Sequence, residues 1–157
     1  MSNQLSKRIN SLPVSATLAM AAKARELKEQ GKDIISLSLG EPDFNTPDFI
    51  KEAAIQAIHD NYSSYSPVDG YLDLKKAICT KFKRDNNLEY KPNQVVVSTG
   101  AKQSIANVAM VLLNPGDEVL LPAPYWVSYS AIATLAEATF KEIPSSIETD
   151  FKITPEQ

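Results

Sequence analysis

Apolar positions change period several times along the chain, and each change marks an element. Ser15 precedes a stretch in which Met20, Ala24 and Leu27 recur at helical spacing, and Gly31 follows it. A serine N-cap and a terminal glycine are ordinary boundaries for such a helix. Ile34 to Leu39 is a short strand-like run. Thr46-Pro47 then supplies a capping residue and a proline at the first helical position. Behind it, Ile50, Ala53, Ala54, Ala57 and Ile58 form a complete apolar helix face. A loop rich in Tyr, Ser and Pro, Tyr62 to Gly70, leads to a second helix striped by Tyr71, Leu74, Ala77, Ile78 and Phe82, with Cys79 beside the stripe.

Val95-Val96-Val97 predicts a strand ending at Ser98-Thr99-Gly100, and a third helix follows at once, striped by Ile105, Val108, Ala109, Leu112 and Leu113. Asn114-Pro115-Gly116-Asp117 is a turn. Glu118 to Pro122 predicts a strand, Val127 to Leu135 a weaker helix, and Ala138 to Ile143 another strand. Short strands alternating with amphipathic helices predict an α/β domain around a largely parallel sheet. Parallel strands buried on both faces read as continuous apolar runs, as Val95–Val97 and Val119–Leu121 do. Thr154-Pro155-Glu156-Gln157 reads as a capping box with proline at the first helical position. The expectation drawn from it is that the sequence continues into a further helix and is part of a longer protein.

Composition narrows the function classes. The 157 residues carry 16 Lys and Arg against 19 Asp and Glu, a formal net charge of −3, with no basic cluster longer than a pair. That balance argues against a nucleic-acid surface. One cysteine, Cys79, cannot form an internal disulfide, and one histidine, His59, leaves too few ligands for a zinc site. No stretch approaches the ~18 apolar residues of a membrane-spanning helix. Lys7-Arg8 ahead of Leu12 to Ala22 imitates a signal peptide, but Pro13, Ser15 and Thr17 interrupt it and the pattern runs on into Lys23, Arg25 and Glu26. A capped surface helix is the better reading, and a cytoplasmic domain the expectation.

Four places carry candidate chemistry. At Val97-Ser98-Thr99-Gly100-Ala101-Lys102-Gln103 a strand passes through small residues into a helix, whose N-terminal N–H groups and dipole suit an anion such as phosphate. An ordinary strand-to-helix turn is the alternative, since the glycine spacing of nucleotide loops is missing. Gly40, in Leu39-Gly40-Glu41-Pro42-Asp43-Phe44, either lets backbone approach a ligand or serves only the turn. Tyr62 and Tyr65 lie in a polar loop, where a phenol can donate to a phosphate or cap a core. Trp126, the single tryptophan, stacks on a planar ligand or packs into a core.

Taken in order, Gly-Glu-Pro-Asp-Phe, Tyr-Ser-Pro, Thr-Gly-Ala-Lys-Gln, Pro-Gly-Asp-Glu-Val and Pro-Tyr-Trp resemble the N-terminal part of class I, fold-type-I aminotransferases that use pyridoxal 5′-phosphate (PLP). The prokaryotic aspartate aminotransferase branch is the most similar, and the likeness spans the chain from Leu5-Ser6-Lys7-Arg8 and Ser15-Ala16-Thr17 to the last residues. The resemblance implies an α-β-α large domain, incomplete over residues 46–157, preceded by an N-terminal arm and small-domain segment over residues 1–45.

It also implies roles. Gly40 matches the glycine whose N–H meets the substrate α-carboxylate, and Gly100, Ala101 and Lys102 match the phosphate cup. Trp126 matches the aromatic stacked on the pyridine ring, beside the substrate. Tyr65 matches the tyrosine that reaches the cofactor phosphate of the neighbouring subunit, which implies a homodimer with shared sites. Ser15 and Thr17 belong to a segment that closes over substrate. Two departures stand out: Gly-Ala-Lys replaces a second glycine found in some relatives, and Pro13-Val14 replaces a Lys-Pro-like pair.

The Schiff-base lysine, the aspartate on the pyridine nitrogen and the arginine on the substrate carboxylate all lie further along the chain in this family, so no catalytic residue is assigned here. The implied reaction moves an amino group between an L-amino acid, with aspartate expected, and a 2-oxo acid. An aromatic or prephenate aminotransferase, a PLP lyase of the same fold, and a short non-catalytic pairing fragment are the alternatives.

Overall fold

A computed structural model describes residues 4–157. Its elements in chain order are α1 (Lys7–Asn10), α2 (Ala16–Glu29), α3 (Asp48–His59), α4 (Leu72–Asn86), α5 (Ala101–Leu112), β1 (Glu118–Ala123), α6 (Ser128–Leu135) and β2 (Thr139–Pro144). Single 3₁₀ turns occupy Pro92–Gln94 and Ile147–Thr149. The described chain forms two compact units. One joins the residues up to Leu39 with Ala101–Gln157, and the other is Gly40–Gly100.

In the first unit β1 and β2 pair in parallel, Glu118 opposite Thr139 through to Ala123 opposite Pro144. Parallel neighbours need a crossover, and α6 supplies it, packed on both strands and on α5. The core follows from that layering. Leu121 and Ile143 come from the strands, Ile132, Ala133 and Ala136 from α6 and its C-cap, and Ala138 from the approach to β2. Each large apolar side chain buried there contributes ~1.5–3 kcal/mol. The turn before β1 is tied by the Asn114 N–H donating to Asp117 Oδ2 at 2.7 Å. In α2, Ser15 caps as expected, its hydroxyl accepting from the Leu18 N–H at 3.4 Å, and Gly31 follows at φ +79°. Met20, Ala24 and Leu27 face Ile34, Ile35 and Leu37 across an apolar groove of about 400 Å³.

In the Gly40–Gly100 unit, α3 begins at Asp48 with Pro47 as N-cap and no side-chain cap bond, so Thr46 does not cap it. The ring of Tyr62 meets Tyr71 edge-on at 5.7 Å, and Phe82 meets Tyr90 at 5.6 Å. Helix α4 turns inward along one edge of its predicted apolar stripe, through Ile78 and Phe82, and brings Lys75 and Cys79 in beside them. Lys75 is buried and Ile78, Cys79 and Phe82 are half-buried, while Leu74 and Ala77 are exposed.

Two expected strands are not strands. Ile34–Leu39 and Val95–Val97 run without ladder partners, and Ile35, Leu37 and Val96 are largely exposed. A strand is defined by its ladder, and β1 and β2 are the only paired strands among the described residues. Val95 nonetheless keeps extended dihedrals, φ −117° and ψ 129°, and the Val97 N–H donates to the Asp69 carbonyl at 3.1 Å. No helix among the described residues is long and apolar enough to cross a membrane.

Candidate functional site

The expected site residues fall in both units. In the Gly40–Gly100 unit, Gly40 is exposed and a Cβ built on it would meet nothing within 4 Å. Tyr65 projects from the loop between α3 and α4 with its side chain fully exposed. Gly100 sits at φ +85°, a left-handed conformation that favours glycine. The space beside it is equally open, with no heavy atom within 4 Å of a built Cβ. The Gly100 N–H itself donates to the Ser98 carbonyl at 2.8 Å, closing a tight turn directly ahead of α5.

In the other unit, Ala101 and Lys102 open α5. N–H groups in the first turn of a helix point outward at its positive end. The Lys102 ammonium lies 5.8 Å from the centroid of the Trp126 indole, a cation–π pair. Trp126 is half-exposed, in the loop between β1 and α6. That loop is anchored on both sides. The Tyr125 hydroxyl donates to Glu142 Oε1 at 2.6 Å, and the Ser145 hydroxyl and backbone N–H both donate to the Ala123 carbonyl. The Glu142 carboxylate, by accepting that bond, holds the Tyr125 phenol above its ordinary pKa, with burial adding to the effect. Thr17, in the first turn of α2, is half-buried. Ser15 lines a cleft of about 440 Å³ with Pro13, Val14, Tyr125 and Val127, so the arm and the residues flanking Trp126 share one concavity.

A family model for aminotransferase class I and II matches residues 32–157. The chain belongs to that family. It is 50% identical over 154 residues to an aspartate/prephenate aminotransferase of Nitrosomonas europaea, covering 98% of itself and 39% of that protein. It is 47% identical over 154 residues to an aspartate aminotransferase of Bacillus subtilis, again covering 98% and 39%. Among solved structures, the aspartate aminotransferase from Rhizobium meliloti superposes with a TM-score of 0.93 at 44% identity, over 98% of this chain and 38% of that one. The enzyme from Thermus thermophilus with maleate gives 0.92 at 40% identity, over 98% and 40%. The chain thus spans about 39% of the length of these curated relatives. Its fold is that of the fold-type-I aminotransferases, α/β with a parallel strand pair.

One residue escaped the sequence reading. Lys75, next to Lys76, is given no role there, yet it is buried and its ammonium donates to Asp69 Oδ2. The signal was its spacing: Lys75 lies three and four residues before Ile78 and Cys79, on the face that turns inward. By its hydrogen bond, Lys75 holds the Asp69 carboxyl below the usual carboxylate range.

Proposed function

We propose that this chain supplies the phosphate- and ring-binding part of a PLP-dependent aspartate-type aminotransferase. The observation carrying that reading is Gly100, at φ +85° with open space beside it, immediately ahead of a helix N-terminus. Family membership gives this anion cradle its ligand, because the family is PLP-dependent. A cofactor phosphate fits there: Gly100 leaves room for it, and the N–H groups of Ala101 and Lys102 supply donors and dipole. The half-exposed indole of Trp126 offers a face for the pyridine ring. When bound, PLP supplies the electron sink for chemistry at the substrate's α-carbon. The residues here bind and orient it.

In the same reading Gly40 donates its N–H to the substrate α-carboxylate, and Ser15 and Thr17 belong to the segment that closes over substrate. Tyr65, fully exposed, reaches the phosphate of a second subunit, making the protein a homodimer with shared sites. Residues 1–45 form the arm and small-domain segment, and 46–157 the first part of the cofactor-binding domain. The substrates are an L-amino acid and a 2-oxo acid, in the cytoplasm. Aspartate is favoured because several relatives bear that name and one solved relative carries maleate, a dicarboxylate. A prephenate-type acceptor is the second reading, favoured by the aspartate/prephenate enzyme of Nitrosomonas europaea.

The test uses the full-length protein, titrated with PLP by absorbance and assayed for amino transfer from aspartate to 2-oxoglutarate or prephenate. Lys102→Ala should leave PLP affinity nearly unchanged, whereas Lys102→Pro, which removes the N–H, should weaken it about tenfold or more. Equal losses would assign the phosphate to the side chain, and a wild-type protein that takes up no PLP would refute the reading.

A further inference from the structure

Lys75 is the one buried charged residue among those described, 7% exposed, and the proposed cofactor contacts give it no task. Its ammonium donates to Asp69 Oδ2, and the peptide carbonyl of the same Asp69 accepts the Val97 N–H at 3.1 Å. The next residue, Gly70, stands so close to Val97 that a Cβ on it would lie 2.7 Å from Val97 Cγ2 and 2.8 Å from Val97 Cβ. The Gly70 N–H closes the turn by donating to the Pro67 carbonyl at 3.0 Å. One turn, Pro67–Gly70, therefore touches Val97 by hydrogen bond and by van der Waals contact, and a buried cation pins that turn to α4.

Val97 leads within three residues to Gly100. We propose that Lys75 is a positioning residue: through Asp69 it braces the Pro67–Gly70 turn against Val97 and thereby fixes the path of Val97–Gly100. This inference rests on the proposed function for its link to the cofactor phosphate. The pair holds because a buried ammonium cannot give up its partner without a large desolvation penalty. The turn therefore cannot swing away from Val97 while Lys75 stays inside. A side chain locked by burial and holding a loop through a second residue is how binding backbone is kept in register.

The experiment compares full-length wild type with Lys75→Met, Lys75→Arg and Asp69→Asn, by amide hydrogen exchange and by PLP titration. Lys75→Met should speed exchange at Val97 through Gly100 while β1 and α6 keep their rates, and should weaken PLP about tenfold. Asp69→Asn should shift both in the same direction by less, and Lys75→Arg should restore both. Unmoved exchange at Val97–Gly100, or a uniform rise across the whole chain, overturns the brace. Faster local exchange with unmoved PLP affinity overturns its link to the cofactor. If Lys75→Met does not fold, Asp69→Asn decides by the same two readings. Wild type without PLP uptake refutes the proposed function and the cofactor half of this inference, whereas wild-type uptake with unmoved variants refutes the inference alone.

Discussion

The two units solve the problem of holding a backbone in place by different means. The one containing β1, α6 and β2 does it with apolar burial: Leu121, Ile132, Ala133, Ala136, Ala138 and Ile143 close on one another. The Gly40–Gly100 unit buries no apolar side chain, and its one buried residue is Lys75. There the fixed points are directional, namely an ion pair, a peptide hydrogen bond and a glycine pressed on a valine. Apolar burial is non-directional and tolerates small shifts, whereas a polar brace specifies one geometry and is lost abruptly when a member goes. A layer that only has to support can rely on the first. A segment that must present backbone N–H groups to an anion needs the second.

The sharpest way to break this contrast is to open the apolar side. Ile132→Ala removes a buried side chain from the centre of α6 and should lower unfolding free energy by about 2–5 kcal/mol, independent of pH between 5 and 8. A denaturant midpoint that barely moves would show that β1 and β2 are held by something else.

Gly70→Ala attacks the other side. Its Cβ must enter space occupied by Val97, at a backbone φ of +96°. Val97 is β-branched and stiff, so it yields little. Overpacking and the left-handed conformation together should cost about 2–4 kcal/mol. Exchange at Val97 should report the damage before the β1–α6–β2 core does. Gly40→Ala, with no positive φ and nothing near its Cβ, is the matched control and should leave stability almost unchanged.

The smallest effect separates the two by pH. Lys75 holds the Asp69 carboxyl below the usual range. A carboxyl with a lowered folded pKa contributes stability that is fully present above its unfolded value and is lost as pH falls through the folded one. The advantage of wild type over Asp69→Asn should therefore be constant near neutrality and shrink once pH drops below about 4. A difference that grows on acidification would mean that Asp69 is not held by a cation. Ile132→Ala should show no such trend.

Helix positions were legible in the sequence because periodicity and caps are local. Ser15, Gly31 and the Asn114–Asp117 turn do in the structure what their residue types predict. The closing box is formed as well, with the Thr154 N–H donating to Gln157 Oε1 at 2.9 Å and the Gln157 N–H to Thr154 Oγ1 at 3.4 Å. Strands were less legible, because an apolar run states a preference while its ladder depends on a neighbour elsewhere in the chain. Val119–Leu121 has β2 beside it, and Val95–Val97 has no ladder partner among the described residues. The candidate site was visible as an order of motifs, and Gly100 as a glycine where glycine is needed. Lys75 was hidden because a lysine in an amphipathic helix looks like solvated surface until its burial and its ion pair with a residue six positions earlier are seen.

The cation–π pair of Lys102 and Trp126 also has an optical meaning. These 157 residues contain one tryptophan, so their emission on excitation near the red edge of indole absorption comes from a single ring, in the loop between β1 and α6. That ring already has an ammonium 5.8 Å from its centroid, and any planar or anionic molecule that moves the charge or covers the indole changes the local field. This segment thus carries a built-in fluorophore at the position where its ligand is expected, and occupancy can be followed without a label.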